Sequence, residues 1–259
     1  MTKIISKYKY QIILFIITCI LFLVNYRSGT YLTGWDNLQT ELNPGLAVKR
    51  AFFSVWEEYQ SFGLTAGMAH AADLPRAIFL WVTSFVVPQN MVRYFYHFLM
   101  LLLGGMGAYT LFGGGIMAFF GSLFYMLNLG TVQIFYLPYE AFSTFFAFLP
   151  WGAWIFSKII SETKHPRSKK TILIFFLINI LGIPAFYTQQ LFIVYFLVLG
   201  SILSGFLLTK KHEISIHALD IFKRGLVLFT LIFIVNSFWL LPQFYFLKTN
   251  GQVVTEAKN

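Results

Sequence analysis

Asp36, Glu41, Glu140 and Arg93 are the residues of this chain whose types and settings could do chemistry. The stretch Leu32-Thr33-Gly34-Trp35-Asp36-Asn37-Leu38-Gln39-Thr40-Glu41-Leu42-Asn43-Pro44 begins a few residues after an apolar run that ends near Tyr26. A carboxylate at the edge of a low-dielectric slab has a raised proton affinity, which suits taking a proton from a hydroxyl group. On the residues alone, Asp36 reads more readily as a solvated loop carboxylate or a helix cap than as a base, and Glu41 as plain solvation. Glu140 follows Pro138-Tyr139 ahead of another apolar run, where a negative charge also favours a helix N-terminus. Arg93 starts an apolar segment; it is placed to meet an anionic group or to snorkel to headgroups. Arg27, Lys49 and Arg50 are weaker cations of the same kind. His70 is a lone imidazole, and Gln189 and Gln190 are loop amides after Pro184-Ala185-Phe186-Tyr187-Thr188. Trp35, Tyr136 and Tyr139 offer aromatic faces, which also crowd any membrane interface.

The elements that must position these groups are set by composition. Of 259 residues, 58% are hydrophobic, 20% aromatic and only 11% charged; a soluble domain carries roughly 25% charged residues. The deficit fits a chain whose solvent is mostly lipid. Its +9 formal charge sits in short clusters between apolar runs, which points to an anionic leaflet rather than to nucleic acid. Cys19, the single cysteine, lies inside the first apolar run and reads as a buried thiol. There is no phosphate-binding glycine loop, no cysteine or histidine metal pattern and no serine-hydrolase elbow. Gly113-Gly114-Gly115 reads as a turn between helices.

Runs of about 20 apolar residues define membrane helices. The candidates are Gln11–Tyr26, Met91–Phe112, Ile116–Leu129, Ala141–Ile160, Thr171–Phe186, Gln190–Thr209 and Gly225–Phe246. The first is expected to be an uncleaved helix rather than a signal peptide, since no small-residue cleavage site follows it. Arg76–Val87, between Pro75 and Pro88, is too short for a plain crossing. If it dips in and returns, the inner segments hold Lys3, Lys7, Lys9, Lys158, Lys164, Arg167, Lys169, Lys170, Lys210, Lys211, Lys223 and Arg224, which is 12 of the 19 basic residues. If it crosses, the densest basic loops fall outside. The positive-inside rule favours the re-entrant or interfacial reading, with the N-terminus cytoplasmic. The expectation is therefore an all-α integral membrane protein of the cell membrane, a single membrane domain over 1–259. It has about seven transmembrane helices, one short re-entrant or interfacial segment, and a long outer loop over 27–75. Within that loop Asn43 caps and Pro44 opens an amphipathic helix over about 44–62, lying in the interface or packed on the bundle. Lys248–Asn259 reads as a loose polar end.

Several features occur in an order that resembles the GT-C glycosyltransferases, polytopic enzymes that use polyprenyl-phosphate sugars. The likeness is nearest to the N-terminal membrane region of the α-(1→3)-arabinofuranosyltransferase D family. The features are Asp36 after the first helix, Asn43-Pro44 opening an amphipathic helix, a short Pro-bounded apolar segment, and a helix with early Arg93. Glu140-Ala141 then precedes a helix containing Leu149-Pro150-Trp151, and Asn236-Ser237-Phe238-Trp239-Leu240-Leu241-Pro242 is similar to a stretch of related large enzymes. Members of that family are far longer, with outer carbohydrate-binding domains, so the chain is expected to be an N-terminal fragment or a reduced homologue.

The resemblance implies a GT-C fold and transfer of a sugar from a polyprenyl-phosphate donor to an extracytoplasmic glycan or glycolipid, by single displacement with inversion. It implies Asp36 as catalytic base, with Glu41 as a second carboxylate. Glu140 would orient a sugar hydroxyl or the acceptor, and Arg93, helped by Arg50, would hold the donor phosphate. Trp35, His70 and Gln189 would line the substrate. No metal ligand set is evident and no cofactor is expected, although some relatives use a divalent cation. Two other classes stand beside this one: a lipid-linked-sugar transporter or flippase, and a non-catalytic assembly subunit. A translocator should carry charge near mid-membrane, and apart from His97 the central thirds of these helices carry almost none.

Overall fold

In the computed structural model, residues 2–32, 42–53, 67–136, 139–161, 169–209 and 215–256 are described, and every regular element among them is an α-helix. In chain order these are α1 (Thr2–Asn25), α2 (Pro44–Phe53), α3 (Gly67–Thr83), α4 (Gln89–Leu111), α5 (Gly115–Leu127), α6 (Leu129–Tyr136), α7 (Glu140–Ser161), α8 (Lys169–Leu181), α9 (Ile183–Phe186), α10 (Gln189–Thr209) and α11 (Ser215–Glu256). Among the described residues, Tyr8–Asn25, Glu140–Ser161, Gln189–Thr209 and Ala218–Thr249 are long and apolar enough to cross a membrane. The pair α5 and α6, bent by 44° at Asn128, makes a fifth if it is one broken span. Length and hydropathy thus give four or five candidate crossing helices among the described residues.

α7 is the central helix. One side packs on α4, where two glycines let the backbones approach. A Cβ on Gly104 would meet the Phe146 ring, and one on Gly107 would meet Pro150 and Trp151. The Trp151 indole donates to the Leu103 carbonyl at 2.9 Å across the same seam. The other side of α7 joins α8 to α11 in a core around Phe156, Phe175, Phe186, Tyr195, Leu199 and Ile232. A second core, built on Leu14, Leu101, Tyr109 and Met126, ties α1, α4 and α5 together. Gly113, Gly114 and Gly115 all have φ near +80°, a conformation open to glycine at no steric cost, and they form the expected turn.

Four expectations need correction. The short segment does not start after Pro75. α3 begins at Gly67 and runs through Pro75, because the flanking residues Ala72, Asp73, Arg76 and Ala77 are all buried and packing outweighs the roughly 3 kcal/mol that an interior proline costs. His70 is therefore the fourth residue of a helix, not part of a loop. Thr171–Phe186 is two helices, α8 and the single turn α9, broken at Gly182, whose Cβ position lies against the Phe186 ring. Finally, Lys248–Glu256 continues α11 instead of forming a loose end.

α2 opens as its sequence dictates: it starts at Pro44, and the Leu46 amide donates to Asn43 Oδ1 at 3.1 Å. It is packed along α3, with Gly45 against the Trp81 indole, while Phe52 and Phe53 are exposed. The remainder of the expected amphipathic helix, 54–62, lies outside the described residues.

Candidate functional site

α1, α3, α4 and α7 meet at one end of the bundle, and there the buried charges collect. α1 finishes at this end and α4 begins there: Asn90 donates to the Tyr26 hydroxyl at 2.9 Å, and the Tyr26 and Tyr94 rings meet edge to face. Arg93 and His97 stand one turn apart on the face of α4 that looks toward α7, as i, i+4 spacing requires. α7 opens with Glu140, so its carboxylate lies at the same level.

Arg93 and Glu140, which the sequence offered as separate candidates 47 residues apart, are directly paired: the Arg93 Nη2 donates to Glu140 Oε1. Two further side chains converge on that same oxygen. The Arg76 Nη1 is 3.9 Å away and the His97 Nε2 is 3.5 Å away. Arg76 is in turn forked onto Asp73, one helical turn before it, through Nε to Oδ1 at 2.6 Å and Nη2 to Oδ2 at 2.9 Å. All five side chains are buried, with His97 at 2% and Arg76 at 3% exposure.

Neighbouring hydroxyls and rings complete the surroundings. The Tyr96 and Thr144 hydroxyls are 2.5 Å apart, and Thr144 donates back to the Glu140 carbonyl at 2.6 Å. The Arg76 guanidinium stands 5.9 Å over the Tyr96 ring. Tyr187 lies in the short turn between α9 and α10, near Tyr139. Burial, and secondarily the Tyr139 hydroxyl, push its phenol above the ordinary value, so it stays a neutral hydrogen-bonding group.

Two chain segments are pinned over the start of α4. Arg93 Nη1 donates to the Leu32 carbonyl at 3.1 Å, and the Gln89 side chain donates to the Leu42 carbonyl. Leu32 and Leu42 are the residues on either side of 33–41. Trp35, Asp36 and Glu41 fall within 33–41 and lie outside the described residues. Of the other candidates, Arg50 is half-buried on the last turn of α2, and Gln189 opens α10 and is exposed. His70 lies on α3, three residues before Asp73.

Sequence reading missed Asp73 and Arg76 as site residues. Their signal was present: an i, i+3 acid–base pair in a chain with little charge is a strong feature once one helix is allowed to run through Pro75. Arg93 was weighed against snorkelling; its burial and its pairing with Glu140 exclude that.

Removing such groups from water costs several kcal/mol per ion, so a buried ion cluster is poor evidence for stability alone. In a membrane-embedded helix it marks a working site by default. The cluster presents forked donors suited to a phosphate or carboxylate. Among the described residues no three His, Cys, Asp or Glu side chains gather as a metal site. Comparison with family models, curated proteins and solved structures returns no match to this chain.

Proposed function

We propose that this protein is a membrane glycosyltransferase of the GT-C type. It moves a sugar from a polyprenyl-phosphate donor to an extracytoplasmic glycan or glycolipid. The carrying observation is the buried Arg76–Arg93–Glu140–His97 cluster. It lies at the end of the bundle where the first helix finishes, and is bonded through Arg93 to the carbonyl just before the Asp36 stretch. Asp36 is four residues after Leu32, a span of at most about 14 Å, so chain length allows its carboxylate to reach a phosphate held by the arginines.

In the reaction, Asp36 takes the proton of the acceptor hydroxyl. The acceptor oxygen then bonds to the anomeric carbon as the bond from that carbon to the phosphate oxygen breaks. The electron pair leaves with the polyprenyl phosphate, whose charge the guanidiniums offset. In this reading α1, α4, α5 with α6, α7, α8 with α9, α10 and α11 are seven spans, and α3 is the re-entrant or interfacial segment. α3 meets α4 near that helix's start, where Phe79 stacks on Phe95 and tilts against Tyr96 and Arg76 covers Tyr96. The flippase reading receives less support, because Glu140 opens α7 and Arg93 is the fifth residue of α4, which leaves His97 as the member of the pair on α4 that reaches that helix's central third.

The test is reconstitution. The full chain in proteoliposomes, given a panel of polyprenyl-phosphate pentoses and hexoses with an oligosaccharide acceptor, should release free polyprenyl phosphate from one of them. Asp36→Asn should abolish the release. Equal release from wild type and Asp36→Asn would defeat the assignment.

A further inference from the structure

The Glu140 carboxylate occupies the centre of a site made for an anion. Its Oε1 alone draws Arg93 from α4, Arg76 from α3 and His97 from α4. Three nitrogen-bearing side chains around one oxygen exceed what pairing a single carboxylate requires, and the two guanidiniums come from different elements. They therefore define a fixed point in space rather than a local helix pair. The imidazole supplies a second, independent sign. His97 is buried, its Nδ1 has no hydrogen-bond partner among the described residues, and its Nε2 stands at 3.5 Å from the carboxylate without making a hydrogen bond. A buried polar atom without a partner costs about 1–3 kcal/mol, and it is retained where a ligand's oxygens can satisfy it.

Resting on the reading of this site as the phosphate end, we propose that Glu140 is a displaceable counter-anion. The phosphate group of a phosphate ester takes its place between Arg76 and Arg93 and gives His97 its missing acceptor. A phosphate offers three or four oxygens where Glu140 Oε1 offers one, so both guanidinium forks and the imidazole are served together. Two anions cannot share that point, because like charges this close repel strongly. Glu140 swings aside as the ester enters and returns when it leaves. This role opposes the one first expected for Glu140, of gripping a sugar or acceptor hydroxyl, and the two make opposite predictions.

The experiment measures binding without sugar transfer. Purified full-length protein in detergent is titrated calorimetrically with dodecyl phosphate and, separately, with inorganic phosphate. Glu140→Gln should tighten dodecyl phosphate binding by about tenfold or more, and Arg76→Gln or Arg93→Gln should weaken it by at least as much. Preference for dodecyl phosphate over inorganic phosphate identifies a lipid headgroup as the source; equal affinity identifies a free phosphate. Weaker binding by Glu140→Gln overturns the displacement and leaves the phosphate end standing. Binding by no form of the protein overturns both. Should Glu140→Gln fail to fold, infrared difference spectra of the wild type decide. Adding dodecyl phosphate should shift a carboxylate stretching band, and an unchanged band contradicts the proposal.

Discussion

Arg76 is held on two sides, by the fork to Asp73 and by Glu140, and this makes the pair on α3 the point where the cluster's stability can be probed. Removing one partner of a buried ion pair leaves an uncompensated charge, at about 3–5 kcal/mol; replacing both with apolar groups of similar size is close to neutral. Asp73→Leu should therefore lower the unfolding temperature in detergent markedly, whereas Asp73→Leu with Arg76→Met should recover most of the loss. The recovered double variant should remain inactive in sugar transfer if Arg76 serves the phosphate. Full activity in that variant would reduce Arg76 to a structural role. At this scale the sequence was partly legible. Arg93 and Glu140 stood out because charge is scarce in the chain, but their pairing was not visible, since nothing in residue spacing relates α4 to α7. Asp73 was read as a loop acid because Pro75 looked like a boundary.

Between elements, the site depends on how closely α4 approaches α7, and that approach depends on glycine. A Cβ on Gly104 would lie 2.3 Å from the Phe146 ring and 2.9 Å from the Phe146 carbonyl, so backbone as well as side chain would have to move. Small residues at such seams are how membrane helices gain close packing. Gly104→Ala should cost about 1–3 kcal/mol as an overpacking change and should loosen the Arg93–Glu140 pair across the same seam. Gly200 on α10 has open space around its Cβ position; there, Gly200→Ala should be neutral or stabilise the helix by up to about 1 kcal/mol. Thermal unfolding of the two variants side by side checks the contrast, and equal effects would contradict the packing account. The long apolar runs declared α1, α7, α10 and α11 from composition and length alone. The break of α8 from α9 at Gly182 and the passage of α3 through Pro75 were hidden, because in both places tertiary packing overrides the local preference of one residue.

For the molecule as a whole, the cluster's place at one end gives the bundle a charged face, and the proposed orientation, read from the basic residues, puts that face outside. A single cysteine introduced at Arg167, in a Cys19→Ser background, should resist a membrane-impermeant thiol reagent added to intact cells and react after permeabilisation. Labelling in intact cells would invert the orientation and place the cluster on the cytoplasmic side. The membrane character and the acidic stretch after the first helix could be read directly from the residues, because hydropathy and charge asymmetry are properties of composition. The convergence of α1, α3, α4 and α7 could not, because it arises from helix packing over separations of tens of residues. The central claim is that a carboxylate beside this cluster transfers sugar. Its most direct test is the envelope glycan profile of a host strain carrying Asp36→Asn, with protein abundance matched to wild type. The account predicts loss of a defined glycan, with accumulation of its polyprenyl-phosphate donor. An unaltered profile at matched abundance would contradict it.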